Sequence, residues 1–532
     1  MGVLPALNHM LFTWALALND DILAQMVEHT FLMLTAGGLI AWGMRRNQAL
    51  VGFAGALFWL ANALVLWLAA SAYVDIAVTC YVFLGVYALR VFWDTAEPLW
   101  WYSAMALFGM AAGVKIQGIF FLGMGALIGI WPWMKAHNIP SRFIGKVQPD
   151  SGSQQTKSRP KLRWLVQGWG LALLIAIPWY AFIGYHTGNP LWPAFPQLSK
   201  GIWGAPWVIE NVNGWMHNAH EPRTVVNFVK LPFDWIYHPA TFYAEVGLSL
   251  FPLIIAWPLA WIVSLFNRSV RWWTFWALSF TLFWFSSVHQ LRYWLPALPL
   301  AIIALCESVQ WVLIRISKSV SFCRTALVAL SLLTLLWGAR LVLKDIKGKP
   351  PITPAARENF LTGFGGYLGV KYVNEHADNN ETVCVLNASW LNYYFHQHVI
   401  DLRTSLYQNT RPTFRWPDDQ SWTKWLESQN ARWIFIYHNS PEVPKQNPAV
   451  NPFWPEYRLV YADTLSWVFH REPPISSPNA DGSIGPTFLW SNEAFCLANG
   501  RSGFSFTSAG LAGRISQIKL LTTTPRESKQ GP

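Results

Sequence analysis

The sequence predicts a polytopic α-helical membrane protein of about ten transmembrane helices with a C-terminal extracytoplasmic α/β domain. Three observations carry this expectation. The chain of 532 residues is 53% hydrophobic and 13% charged, against ~25% charged in soluble domains. It holds 34 Trp, a density that suits a bilayer, where indole rings settle at the headgroup level. Most Lys and Arg sit in short loops between apolar runs, so the formal charge of +11 does not read as nucleic-acid contact. The partner that composition implies is the lipid bilayer. Cys80, Cys306, Cys323, Cys384 and Cys496 are scattered, with no zinc-type spacing.

A span needs about 20 mostly apolar residues. Such runs cover residues 22–43, 50–70, 74–93, 100–114, 117–134, 162–183, 245–265, 272–287, 291–314 and 325–342. The fourth and fifth are separated only by Gly113-Val114-Lys115-Ile116-Gln117-Gly118. Basic residues then assign the sides. Arg45 and Arg46 follow the first run, and Arg90 ends the third. Lys135, Arg142, Lys146, Lys157, Arg159, Lys161 and Arg163 surround the linker after the fifth. Arg268 and Arg271 follow the seventh, and Arg315, Lys318 and Arg324 the ninth. With ten spans all these clusters share one side, which is cytoplasmic.

That map places Met1 to Asp21 outside, with no signal peptide to carry it there. The expectation is a further helix upstream, in a longer gene product. The map divides the chain into a transmembrane domain over 1–343, an extracytoplasmic α/β domain over 344–472 and a tail over 473–532. The first contains a cytoplasmic loop at 135–163 and an outer loop at 184–244. In the second, Val383–Leu386, Trp433–Tyr437, Arg458–Tyr461 and Trp467–Phe469 read as strands, and Asp418–Gln429 as a helix. The tail is Pro/Ser/Gly-rich without periodicity and reads as disordered.

Ionisable groups at membrane ends are costly unless paired or hydrated, so they are informative. Asp75 opens the third run after Ser71-Ala72-Tyr73-Val74. It either favours the helix dipole as a first-turn acid or stands at the mouth of an outward cavity, binding a metal or orienting an acceptor hydroxyl. Lys115 either snorkels to the headgroups or serves as a point charge for a phosphate. Arg292, at the outer start of the ninth run, opposes the helix dipole and asks for an anionic partner. A lipid headgroup would serve, as would a substrate phosphate held bidentately. In the outer loop, Gly188-Asn189-Pro190 marks a sharp turn. Trp203, Trp207 and Trp215 there suggest a segment lying in the interface. His217, His220 and Glu221 form a His-x-x-His-Glu cluster that is either a divalent-metal site lacking a third spaced ligand or a hydrated surface.

Four motifs together resemble a family. They are Tyr73-Val74-Asp75, Gly113-Val114-Lys115-Ile116-Gln117-Gly118, Thr187-Gly188-Asn189-Pro190-Leu191-Trp192-Pro193 and Gln290-Leu291-Arg292-Tyr293-Trp294-Leu295-Pro296-Ala297-Leu298-Pro299. Their order and spacing, over about residues 5 to 470, look like membrane glycosyltransferases of the C superfamily (GT-C). The branch resembled contains the protein O-mannosyltransferases and lipid A aminoarabinose transferases, which are family 39-like. The resemblance implies a multi-pass protein of a bacterial-type inner or plasma membrane. It implies transfer of a sugar from a polyprenyl-phosphate donor to an acceptor outside the cytoplasm. It places Asp75 at the family's second acidic position. Arg292 and Lys115 then contact the donor phosphate, and Tyr73 and Tyr293 join them in binding substrate. The family's leading acidic residue, its usual base, follows a first helix that would precede Met1, so the chain as given would lack it. Two other readings stay open: a non-catalytic truncated relative, and a transporter or flippase of a lipid-linked substrate. The inverted halves expected of many transporters are not visible in the sequence.

Overall fold

The computed structural model describes residues 4–18, 21–71, 73–136, 161–206, 222–244, 247–248, 257–317, 320–345, 353–363, 365–386, 388–401, 429–437, 457–463 and 465–471, with isolated positions at 209, 212–213 and 426. The chain divides into two units, Met1–Lys347 and Gly348–Pro532.

The first unit is a bundle of apolar helices. It begins with α1 (Leu7–Leu18), α2 (Asp21–Arg45), α3 (Ala49–Leu60), α4 (Ala63–Ala69) and α5 (Asp75–Thr95). Next come α6 (Pro98–Val114), α7 (Gly118–Ala136), α8 (Leu162–Thr187), α9 (Val225–Tyr237) and α10 (Trp257–Phe266). The unit closes with α11 (Arg268–Phe285), α12 (Leu298–Ser317) and α13 (Val320–Asp345). A helical turn, Leu291–Trp294, and a 3-10 turn, Leu295–Ala297, lead into α12. Among the described residues, four stretches are each long and apolar enough to cross a membrane: Ile22–Arg45, Asp75–Thr95, Leu162–Thr187 and Leu291–Ile316.

Several expectations are corrected. The 50–70 run is not one straight helix, because α3 and α4 meet at 65°. Asn62 stands at the break, and its Oδ1 accepts from the backbone N–H groups of Leu64 and Val65. A side chain that caps a new helix makes the break stable inside an apolar bundle. Arg268 and Arg271 belong to the first turn of α11, where Asn267 is the N-cap, rather than to a loop. Leu7–Leu18 forms a helix where none was expected, and it packs on α2 and α6. Of the 245–265 run, only 247–248 and Trp257 onward lie among the described residues.

The tryptophans also depart from a headgroup belt. Eight of them, Trp42, Trp59, Trp101, Trp235, Trp273, Trp276, Trp284 and Trp294, are fully buried in the protein. The indole N–H explains several: Trp42 donates to Glu307 Oε1 at 3.0 Å, Trp59 to the Leu32 carbonyl at 3.1 Å and Trp294 to Thr281 Oγ1 at 2.8 Å. Lipid tails are as apolar as the side chains, so close packing and interhelical hydrogen bonds hold such a bundle together. Indoles supply both.

Among its described residues the second unit carries two α-helices, α14 (Pro354–Thr362) and α15 (Tyr367–His376), and a mixed five-stranded sheet of order β2-β1-β3-β5-β4. Its strands are β1 (Thr382–Leu386), β2 (His398–Asp401), β3 (Ala431–Tyr437), β4 (Tyr457–Ala462) and β5 (Ser466–Arg471). β1 pairs in parallel with β2 and β3, while β5 runs antiparallel to β3 and β4. The four strands read from sequence are present. β2, His398-Val399-Ile400-Asp401, escaped because only two of its four residues are apolar. Most of the 135–163 loop, the 473–532 tail and most of Asp418–Gln429 lie outside the described residues.

Helices α2 and α3 cross where Gly43 meets Gly52. A Cβ on Gly43 would stand 2.6 Å from the Gly52 Cα, whereas one on Gly37 of the same helix meets nothing within 4 Å. Gly43→Ala is therefore expected to lower stability by about 1–3 kcal/mol through overpacking, while Gly37→Ala preserves or raises it. Thermal unfolding of the two variants in detergent, measured side by side, checks this.

Candidate functional site

The site begins at the N-terminus of α5. Val74 is the N-cap and offers no side-chain acceptor, so Asp75 is the first residue inside the helix. Its carboxylate is almost wholly buried and, instead of capping its own helix, accepts from Lys115 Nζ at 2.5 Å. Lys115 lies 40 residues away, at the end of α6. It is presented by the turn Lys115–Gly118, in which the Gly118 N–H donates to the Lys115 carbonyl at 2.8 Å. Only glycine fits at 118, because a Cβ there would strike the Ala111 backbone. The lysine is thus held by backbone packing rather than by a flexible loop.

The third contribution comes from the turn Leu291–Trp294. It is anchored from beneath, where Trp284 Nε1 donates to the Gln290 carbonyl at 2.8 Å and Trp294 bonds Thr281. Trp235 of α9 packs against Trp294 with ring centroids 4.2 Å apart and the ring planes tilted by 37°. The Leu295–Ala297 turn packs against α5, which brings the preceding residues to the Asp75 end. The Lys115 ammonium stands 3.9 Å from the centroid of the Tyr293 ring. The Arg292 guanidinium lies 4.8 Å from the Tyr73 centroid and 5.2 Å from that of Tyr293, and its Nε donates to Gln290 Oε1 at 3.2 Å. Tyrosine faces attract cations through the ring quadrupole, so the rings hold both charges without neutralising them. Among the described residues no carboxylate forms a salt bridge with Arg292. Asp75 and Lys115 thus pair directly, while Arg292 rests on tyrosine rings, and its charge favours a further anion.

All five sequence candidates that the structure describes, Asp75, Lys115, Arg292, Tyr73 and Tyr293, meet in this one cluster. His217, His220 and Glu221, the metal candidates, lie outside the described residues. Among the described residues no group of three or more His, Cys, Asp or Glu is placed to hold a metal. The Gly188-Asn189-Pro190 turn is tied to its own loop: Asn189 Nδ2 donates to the carbonyls of Ala194 and Phe195, at 2.8 and 3.0 Å, and its Oδ1 accepts from the Leu191 N–H at 3.0 Å. Sequence reasoning missed Glu28 and Asn8, which sit behind Asp75. The signal was available for Glu28, because an acid within an apolar span is a functional hypothesis by default.

No family model and no curated protein matches the chain. Solved structures do match. ArnT from Cupriavidus metallidurans in the apo state aligns over 90% of this chain and 89% of its own, at 13% identity and a TM-score of 0.54. The same protein bound to undecaprenyl phosphate aligns over the same shares at 14% identity and a TM-score of 0.53. The chain has the GT-C fold. A GT-C bundle with several membrane-length apolar helices is an integral membrane protein. Within the GT-C fold the cluster occupies one end of α5, where a helix N-terminus adds its positive dipole to the two cations.

Removing one member of a buried ion pair typically costs about 3–5 kcal/mol, because the other charge is left uncompensated. Asp75→Ala is expected to destabilise the protein by that order. Adding Lys115→Met to it should restore most of the loss. A double-mutant cycle on thermal unfolding measures this, and simple additivity of the two changes would contradict a direct pair.

Proposed function

We propose that the chain transfers a sugar from a polyprenyl-phosphate-linked donor to an acceptor on the extracytoplasmic face of the membrane. The observation that carries this reading is the pairing of Lys115 and Arg292 on a tyrosine wall beside Asp75. It is supported by the GT-C fold shared with an ArnT solved with undecaprenyl phosphate. In such a transfer the acceptor oxygen or nitrogen bonds to the sugar's anomeric carbon as the bond to phosphate breaks. The leaving phosphate gains negative charge, and preorganised donors that meet it lower the barrier. Arg292, with a planar fork, suits two phosphate oxygens, and Lys115 suits a third. Asp75 fixes the lysine. The acceptor's proton must also go to a carboxylate base, a part that the resemblance gives to an acidic residue other than Asp75. A lipid donor explains why the cations stand at the end of an apolar helix.

The proposal includes the ten-span arrangement, with the unit after residue 347 outside the cytoplasm. A reporter fused after residue 150 is expected to read cytoplasmic and one after 400 external. Both on one side would refute the count.

For the chemistry, Arg292→Ala in the full chain should lower release of polyprenyl phosphate from a labelled polyprenyl-phosphate sugar, with host membranes as acceptor source. Loss of one such donor is worth roughly 100- to 1,000-fold. Expression and elution profile should stay unchanged, and Arg292→Lys should recover part of the rate. Wild-type turnover in Arg292→Ala would sink the assignment.

A further inference from the structure

Glu28 sits in the apolar body of α2 and is fully buried. A carboxylate there is expensive unless its oxygens are answered. Both are. Oε2 accepts from the backbone N–H of Ala77 at 3.0 Å, and Oε1 from Asn8 Nδ2 at 3.3 Å. Asn8 is held in turn by Tyr81, whose hydroxyl donates to Asn8 Oδ1 at 3.4 Å. The arrangement ties α1, α2 and α5 together.

Ala77 lies in the first turn of α5, two residues after Asp75. The N–H groups of a first turn have no partner within their own helix. They are usually met by the N-cap side chain, which Val74 cannot supply. The cap is therefore delivered from another helix, and a carboxylate suits it because the helix dipole is positive there. This leaves Asp75 free of the task. Without Glu28, the orphan N–H groups would stand beside the carboxylate of Asp75. That carboxylate would be drawn to them and away from Lys115.

We propose that Glu28 is a positioning residue that, by capping α5 from α2, keeps the Asp75 carboxylate on Lys115 and so sets the place of the Lys115 ammonium. What the ammonium then receives, a donor phosphate, rests on the function proposed above. The positioning itself does not.

The test uses the full chain in lipid nanodiscs with a small amine-acylating reagent, following Lys115 modification by peptide mass spectrometry. Release of Lys115 from Asp75 exposes its amine, so Asp75→Asn should speed modification several-fold. Glu28→Ala should speed it to a similar degree. Glu28→Gln should stay near the wild-type rate, because its amide oxygen still accepts from Ala77. Wild-type labelling in a Glu28→Ala protein that elutes normally would overturn the proposal. If Glu28→Ala does not elute normally, Glu28→Asp decides instead: one methylene shorter, it should speed labelling, and a wild-type rate would overturn the proposal equally. Undecaprenyl phosphate binding to the same preparations separates the two claims. Failure of the wild-type protein to bind it would refute the donor reading while leaving the Lys115 labelling pattern as the measure of Glu28.

Discussion

A charge buried among apolar helices has to be answered by the protein, because the lipid around it cannot do so. The Asp75–Lys115 contact is where this constraint bears hardest. An acid at the start of α5 would ordinarily face water or cap its helix. Here it is committed to a lysine from α6, and the helix end is capped by Glu28 instead. Lys115 can reach it only because glycine at 118 lets α7 turn back close to α6. Arg292, left without a carboxylate salt bridge among the described residues, rests on Tyr73 and Tyr293. Each residue of the site thus has its place through a partner on another element.

The same constraint shapes the rest of the bundle. Helices in lipid gain little from hiding apolar surface and must gain from close approach and hydrogen bonds. Gly43 against Gly52 supplies close approach. Trp42, Trp59 and Trp294 supply hydrogen bonds from fully buried rings. Burying an indole this way links helices far apart in sequence, as when Trp42 of α2 reaches Glu307 of α12. Trp294 does the most for the site, since it fastens the turn that carries Arg292 and Tyr293 while Trp235 covers it.

Much of the site was legible in the sequence as residue types at membrane edges. Asp75, Lys115 and Arg292 each break an apolar run, and a charge in such a place needs a partner. Their tyrosine neighbours were visible with them in the same short motifs. Glu28 was overlooked because its partner is the backbone N–H of Ala77, a group that every residue but proline possesses and that no motif records. Asn8 was overlooked with it, since the segment before residue 21 was not read as helix. The 50–70 run hid a break because Asn62 alone interrupts apolarity, too briefly to lower it. The tryptophans misled for another reason: composition reports that indoles are abundant, and not whether they face headgroups or one another.

The sequence by itself determined residence in the membrane, most of the helical segments, four of the five strands among the described residues and the chain positions of the charges that matter. These are properties of single segments, written in apolar run length, in alternation and in interruptions of either. Only the tertiary structure decided that Asp75 meets Lys115, that Arg292 meets Tyr73 and that Glu28 caps α5. Those contacts join residues that periodicity cannot relate, because it describes neighbours along one element. Which helix ends meet is set by how glycines and indoles allow whole helices to pack.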